Sequence, residues 1–552
     1  MKIEFINFES YLSDINLAHR QLIKIDFINR LFRKDFTIWK ENDEEISNRL
    51  GWLDSPLKME PWLKDYEQEA EKIRKAGFKL AVLLGMGGSS LGPEALSRLS
   101  APVPGHPQFL VLDSTCPSAI KNVAVRTEKE PTLFIVSSKS GTTIETLSLF
   151  NYFFQQQQQM YGAEAGRHFI AITDPGTPLE RIASQVGFRK IVAGFPEIGG
   201  RFSVLSPFGL FPAAVLGYDL EKLLAPAVKS FTLLHKGNYD HPGIKIGVFL
   251  GVLTALGKNK LTLVLPPELN TLGRWLEQLI AESTGKEGKE VLPVIENLPL
   301  SEKDYSSDRI FVFYDLEEGK NIFAREKLER LLKIKLPLLY LTFSPEEIAE
   351  HFYIWELATA LIGYFLKINP FNQPDVELTK KKTREILPQP KSNISDSPEL
   401  KLGCENFYKE FKAFLLNTNA AVEYLSLLAF LPPSENLDIA LSNLARQLTQ
   451  KTGFPCTWNY GPAYLHSTGQ LHKGGSGKGR FLGLLFQEKE EVLIPSLPQN
   501  PATASSFNQL FTAQALADFS VLKERGRKVM AIKIEKNPVE EIFRLGEIVR
   551  NI

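Results

Sequence analysis

The sequence predicts an α/β protein: two units built on parallel sheets, then a C-terminal α/β unit. Three observations carry this. Short runs that are apolar throughout, such as KLAVLLG (79–85) and TLFIVSS (132–138), read as strands buried on both faces. Helical patterns such as TIETLSLFNYFFQQQQQM separate them, the alternation expected of βαβ units. A stretch rich in Pro, Ser and Asn, LPQPKSNISDSPEL (387–400), reads as a linker that sets the last 150 or so residues apart.

Taken in order, residues 1–60 are mixed and polar and read as a leading helical segment. Residues 61–220 form the first unit, with runs at 79–85, 108–113, 132–138 and 168–173. The five glutamines at 155–159 continue a helix. Residues 221–385 form the second unit, a further βα series through IKIGVFLGVLTALG, KLTLVLPP, RIFVFYD and LPLLYLTFS. Residues 401–552 are long enough to fold alone, with helices over 403–452 and short strands FLGLLF and KVMAIKI.

Composition removes several classes of function. Lys+Arg and Asp+Glu both count 64, so the formal charge is zero and gives no electrostatic case for nucleic acid or a membrane surface. Three scattered cysteines, Cys116, Cys404 and Cys456, make neither a disulfide framework nor a metal knuckle. The N-terminus carries acids early and does not read as a signal peptide. The longest apolar stretch, 246–257, is too short to span a bilayer. A cytoplasmic protein is expected.

The first motif is LLGMGGSSLGPEAL (83–96): a strand, a glycine-rich turn and a helix. This geometry binds anions, because glycines let backbone N–H groups approach and the helix N-terminus adds its dipole. Gly87 and Gly88 would supply such donors beside Ser89. Three readings compete: the pyrophosphate of a dinucleotide, with Asp113 as the ribose-binding acid, the phosphate of a sugar, or a tight turn. Ser90 stands where the dinucleotide fingerprint wants Gly or Ala. The second motif, SSKSGTTIET (137–146), offers Ser138, Lys139, Ser140, Thr142 and Thr143 at a helix start. One hydroxyl suffices for a cap. Four in six residues suit a phosphate monoester faced from two sides.

These two loops resemble those of the glucose-6-phosphate isomerase family, a branch of the sugar-isomerase (SIS) fold. GGRFSVLSPFG (199–209), ESTGKEGKE (282–290) and NPFNQPDVELTK (369–380) follow in that family's order. GPAYLHSTGQLHKGG (461–475) is similar to the isomerase half of bacterial transaldolase–isomerase fusions. No transaldolase barrel is expected, since nothing before residue 60 could hold one. The resemblance implies SIS-type α/β/α sandwiches, a hexose 6-phosphate substrate, aldose–ketose isomerisation through an enediol, no metal or organic cofactor, and a homodimer.

It also implies roles. Ser89, Ser138, Ser140 and Thr143 contact phosphate, Thr142 and Lys139 less directly, and Gln373 matches a glutamine near the same group. The proton carrier is Glu282. Leu272, Trp275, Leu276, Leu279 and Ile280 recur at helical spacing before it, placing it near the end of an amphipathic helix. Glu287 and Glu290 read as solvent-facing. Arg201 matches the arginine beside the enediolate, a permanent cation suited to developing negative charge. Lys380, seven residues after Gln373, matches the lysine near the ring oxygens.

The family's ring-opening histidine is displaced. Residues 283–368 hold one histidine, His351, which opens a helical pattern and reads as structural. His466 and His472, in a loop rich in hydroxyls and glycine, are the alternatives, with His466 favoured. Imidazole suits the step because it exchanges a proton near neutral pH. Other readings stay open: an isomerase that also takes mannose 6-phosphate, a non-catalytic sugar-phosphate sensor, or a dinucleotide-dependent oxidoreductase.

Overall fold

The computed structural model describes residues 2–99, 103–296, 300–316, 322–342, 344–387, 400–404, 406–416 and 423–552. Three five-stranded sheets organise them. The first holds β2 (Leu80–Gly85), β3 (Gln108–Leu112), β4 (Thr132–Ser137), β5 (Phe169–Thr173) and β6 (Lys190–Ala193), all parallel, in the order β3-β2-β4-β5-β6. The second holds β7 (Lys260–Val264), β8 (Leu292–Glu296), β9 (Arg309–Asp315) and β10 (Leu338–Thr342), with β1 (Lys2–Ile6) at its edge, in the order β8-β7-β9-β10-β1. The third holds β11 (Leu400–Lys401), β12 (Tyr424–Phe430), β13 (Cys456–Tyr460), β14 (Gly479–Phe486) and β15 (Lys528–Ile534), in the order β13-β12-β14-β15-β11.

Period-two burial divides the first sheet between two cores. Ala81, Leu83, Leu133, Ile135, Ile170 and Ile172 point into a core that continues through Leu261, Leu263, Ile310 and Val312 of the second sheet. The two leading units therefore share one core, which also takes in Leu22, Trp52 and Tyr66 of the N-terminal segment. The opposite face, Leu80, Val82, Leu84, Phe134 and Val136, packs on Phe507 and Leu510 of the third unit.

Three sequence readings change. The leading segment opens with a strand: Lys2–Ile6 pairs antiparallel with β10, and its polar alternation is that of an edge strand. The run at 244–257 lies mostly in a helix, Pro242–Ala255. Gly243, Gly247 and Gly251, one turn apart, form a groove that Leu357, Leu361 and Phe365 of the Ile348–Leu366 helix fill. A helix buried nearly all round looks apolar at every position, which erases the period. A strand, β12, interrupts the expected helices of 403–452. Of the proposed linker, 388–399 lie outside the described residues.

Candidate active site

β2 and β4 are neighbours, with Gly85 paired to Ser137, so the two hydroxyl-bearing loops leave the sheet side by side. After β2 the chain makes a tight turn, Gly87–Ser89, and enters the Leu91–Leu99 helix. Gly87 has φ +55°, and a Cβ there would lie 2.6 Å from the His466 carbonyl and 2.8 Å from Gln278 Nε2. A Cβ on Gly88 would lie 2.0 Å from the Gly200 carbonyl. Both glycines therefore serve close approach of other chain segments, with Ser89 buried beside them.

After β4, Ser138 Oγ bonds Thr143 Oγ1 at 2.9 Å and Ser140 Oγ bonds Thr142 Oγ1 at 2.9 Å. Thr143 occupies the N-cap position of the Ile144–Tyr161 helix, yet its hydroxyl makes no capping bond. The hydroxyls are thus held as a cluster and not spent on the helix end. Lys139 Nζ donates to Asp174 Oδ2 (2.5 Å) and the Phe195 carbonyl (2.8 Å), so its charge is paired within the chain.

Glu282 lies in the last turn of the Asn270–Thr284 helix and is 4% exposed. Its Oε1 is 3.6 Å from Arg201 Nη1, and its Oε2 accepts from Gln278 Nε2 at 3.2 Å. Burial pushes its carboxyl above the ordinary range, while Arg201, then Lys286 and His466, pull it back. Arg201 is buried and fully engaged: Nε donates to Ser283 Oγ (2.7 Å), Nη1 to Gln373 Oε1 (2.9 Å), and Nη2 to the carbonyls of Pro370 (2.6 Å) and Asn372 (3.1 Å). Gln373 is thereby tied to Arg201.

The two histidines part company. His466 Nε2 lies 2.9 Å from Glu145 Oε1, which also accepts from Gln514 Nε2 at 2.6 Å. Burial alone would raise the Glu145 carboxyl, but His466, and more weakly Lys380, hold it below the usual value. The His466 carbonyl accepts from Gln278 Nε2 at 2.7 Å, so one amide links the histidine loop to Glu282. His472 is a correction. It is buried among Tyr424, Tyr464 and Phe481, where burial holds its imidazole well below the usual range. Its short helix, Gly469–Gly474, is buried along nearly its whole length. His351 is likewise buried, 3.1 Å from Tyr314 Oη, with its pKa pushed down to about 3 by burial.

Lys380 lies on the Val376–Ile386 helix, where its Nζ bonds Glu377 at 2.7 Å while its charge acts on Glu145. Glu287 is surface-exposed and pairs with Lys40 at 2.6 Å. Glu290 is buried, against expectation, because Ser476 donates to it through N (3.0 Å) and Oγ (2.7 Å). Sequence reasoning missed Glu145, Gln278 and Gln514. Gln278 stands one helical turn before Glu282, a spacing that marks it. Glu145 stands in the first turn after the hydroxyl loop, while nothing in the sequence links Gln514 to it.

Comparison with known proteins gives the family. Residues 71–291 match the phosphoglucose isomerase family model. A glucose-6-phosphate isomerase of Carboxydothermus hydrogenoformans is 30% identical over 446 residues, covering 70% of this chain and 94% of that protein. One from Rubrobacter xylanophilus is 29% identical, covering 69% and 99%. The solved glucose-6-phosphate isomerase of Chlamydia trachomatis shares the fold, with a TM-score of 0.56 at 18% identity, covering 73% of this chain and 89% of that one. A relative 30% identical over 70% of this chain and 94% of its own length leads to one conclusion: the chain belongs to the glucose-6-phosphate isomerase family, the enzymes that interconvert glucose 6-phosphate and fructose 6-phosphate.

Proposed function

We propose that Glu282 is the base that carries the proton between C2 and C1, and that the groups around it divide the remaining work. The observation that carries this is the buried Glu282–Arg201 pair joined through Gln278 to the His466 loop. The substrate phosphate sits between the 87–89 turn and the hydroxyl cluster at 138–143. His466, held by Glu145, passes the proton from O1 to O5 as the C1–O5 bond breaks, and Lys380 assists from the same side. Glu282 then takes the C2 proton and negative charge develops on O1; O1 gains a proton as O2 loses its own, and the enediolate charge, now on O2, faces Arg201. Return of the carried proton to C1 gives the ketose. Guanidinium preorganised in a buried site stabilises such charge without reorganising.

The test is conversion of fructose 6-phosphate to glucose 6-phosphate, without added metal, by wild type and Glu282→Gln. Loss of turnover on the order of 10³-fold in a folded variant supports the assignment. Turnover little changed refutes the base. A wild type that binds sugar phosphate without converting it supports a sensor instead. The same assay with mannose 6-phosphate tests the broader reading, which needs a pocket indifferent to configuration at C2. The reading extends to a cytoplasmic location and a homodimer. Glu145, Arg201, Glu282 and His466 are linked within one chain through Gln278.

A further inference from the structure

Lys286, two residues after the base helix, has no part in the steps above. Yet it is 2% exposed. Glu287 and Gly288 follow it with φ of +56° and +74°, and the backbones of Lys286 and Lys289 exchange two hydrogen bonds of 3.0 Å. Two central residues at positive φ make the compact turn of a two-residue hairpin. Glu287 points outward to Lys40, and Lys286 points inward.

Inside, Lys286 Nζ donates to the Asn372 carbonyl (2.5 Å) and to Asn372 Oδ1 (3.1 Å). The same carbonyl accepts from Arg201 Nη2 at 3.1 Å. Two buried cations therefore converge on one oxygen. Like charges side by side away from water are costly unless a counter-charge is present. Glu282 is that counter-charge, 3.6 Å from Arg201.

We propose that Lys286 is a positioning residue for the proton transfer: its ammonium holds Asn372, and through that carbonyl Arg201 and Gln373, in register with Glu282. The proposal rests on reading Glu282 as the base. Its charge has a second effect. The groups facing Glu282 are Arg201 from the 200–202 turn, Lys286 and, from the third unit, His466, and all three favour the ionised carboxylate. Burial, and then Arg201, push the Lys286 ammonium well below its usual range, while Glu282, Glu287 and Glu45 oppose this. Arg201 and Lys286 stand beside the negative charge both when it sits on Glu282 and when it has moved to the enediolate.

The test is kcat and KM across pH for wild type, Lys286→Met and Lys286→Arg, with folding checked by circular dichroism. Lys286→Met is expected to lower kcat about 100-fold with KM little changed, as misplacement of a catalytic pair does. Its acid limb in kcat should move up by about one pH unit, since an ionised base loses a nearby cation. Lys286→Arg should restore the limb and part of kcat. A Met variant with lower kcat but an unmoved acid limb shows a structural role only and overturns the proposal, as does unchanged kcat. Should Lys286→Met not fold, Lys286→Gln keeps donors to Asn372 without charge. An upward limb there supports the proposal and an unmoved one overturns it. Full turnover in Glu282→Gln would instead sink the base assignment, a failure separable from this one.

Discussion

The first and third sheets share a strand order and differ in what leaves it. In each, the first of four successive strands is flanked by the second and third, with the fourth beyond: β3-β2-β4-β5 and β13-β12-β14-β15. Anions bind outside the carboxyl ends of such strands, where the order reverses. After β2 comes Gly85-Met86-Gly87-Gly88-Ser89, rich in N–H donors. After β12 comes Leu431-Pro432-Pro433-Ser434, in which two residues have no N–H and Ser434 caps the next helix by accepting from Leu437 N. The second sheet repeats the proline pair at Pro266-Pro267 after β7. One topology thus hosts a glycine-rich turn, the proposed phosphate cradle, in one unit and proline-bearing turns in the others. The third unit contributes through a different loop, the one after β13 that carries His466. Chemistry resides in the loops and not in the sheet.

The comparison can be broken most directly at Gly88. Gly88→Ala places a methyl 2.0 Å from a backbone oxygen. We expect at least about 100-fold loss of isomerase activity, from displacement of Arg201's neighbours, and about 1–3 kcal/mol lost in urea unfolding. Pro432→Gly, at the matching turn of the third sheet, should leave kcat alone. Equal losses in the two variants would mean that the loops are not different in kind.

A second contrast separates the histidines. His466→Gln should lower kcat by about 100-fold or more, the usual range for a lost acid–base group. Glu145→Gln should fall in the same direction by less, because it acts through His466. His472→Leu should keep kcat near wild type and change only the melting temperature. Activity lost in His472→Leu and kept in His466→Gln would invert the assignment.

The smallest effect sharpens a difference within one helix. Glu277, like Glu282, is buried; it accepts a hydrogen bond from Asn459 Nδ2 at 3.1 Å, and burial pushes its pKa up to about 7. Between an unfolded value near 4.5 and about 7 the folded chain holds a proton that the unfolded chain has lost, so this group lowers stability as pH rises through that window. Glu277→Gln should therefore be more stable than wild type at pH 8, by about 1–3 kcal/mol, and no more stable at pH 4. Chemical unfolding at the two pH values checks it.

Much of this was legible because the relevant signals are local. The runs at 79–85 and 132–138 are apolar at every position and became strands of a parallel sheet. Glu282 was marked by helical spacing and a motif. What was hidden depends on contacts far apart in sequence. The pairing of Lys139 with Asp174, 35 residues on, has no local signal. Glu145 and His466 are 321 residues apart, and no local pattern joins them. His472 carries the same side chain as His466, and only the aromatic residues packed on it decide its role. The 242–255 helix concealed its period because it is buried nearly all round.

The bridge from Gln278 to the His466 carbonyl, with Glu145 clasped by His466 and Gln514, has a consequence for synthesis. A chain emerging from the ribosome folds its early units first. The 87–89 turn, the 138–143 hydroxyls and the Glu282 helix are then made while His466 is still to be translated. On the proposed roles the site is complete only when residues as late as 514 have docked on it, so a product truncated before His466 is expected to lack turnover.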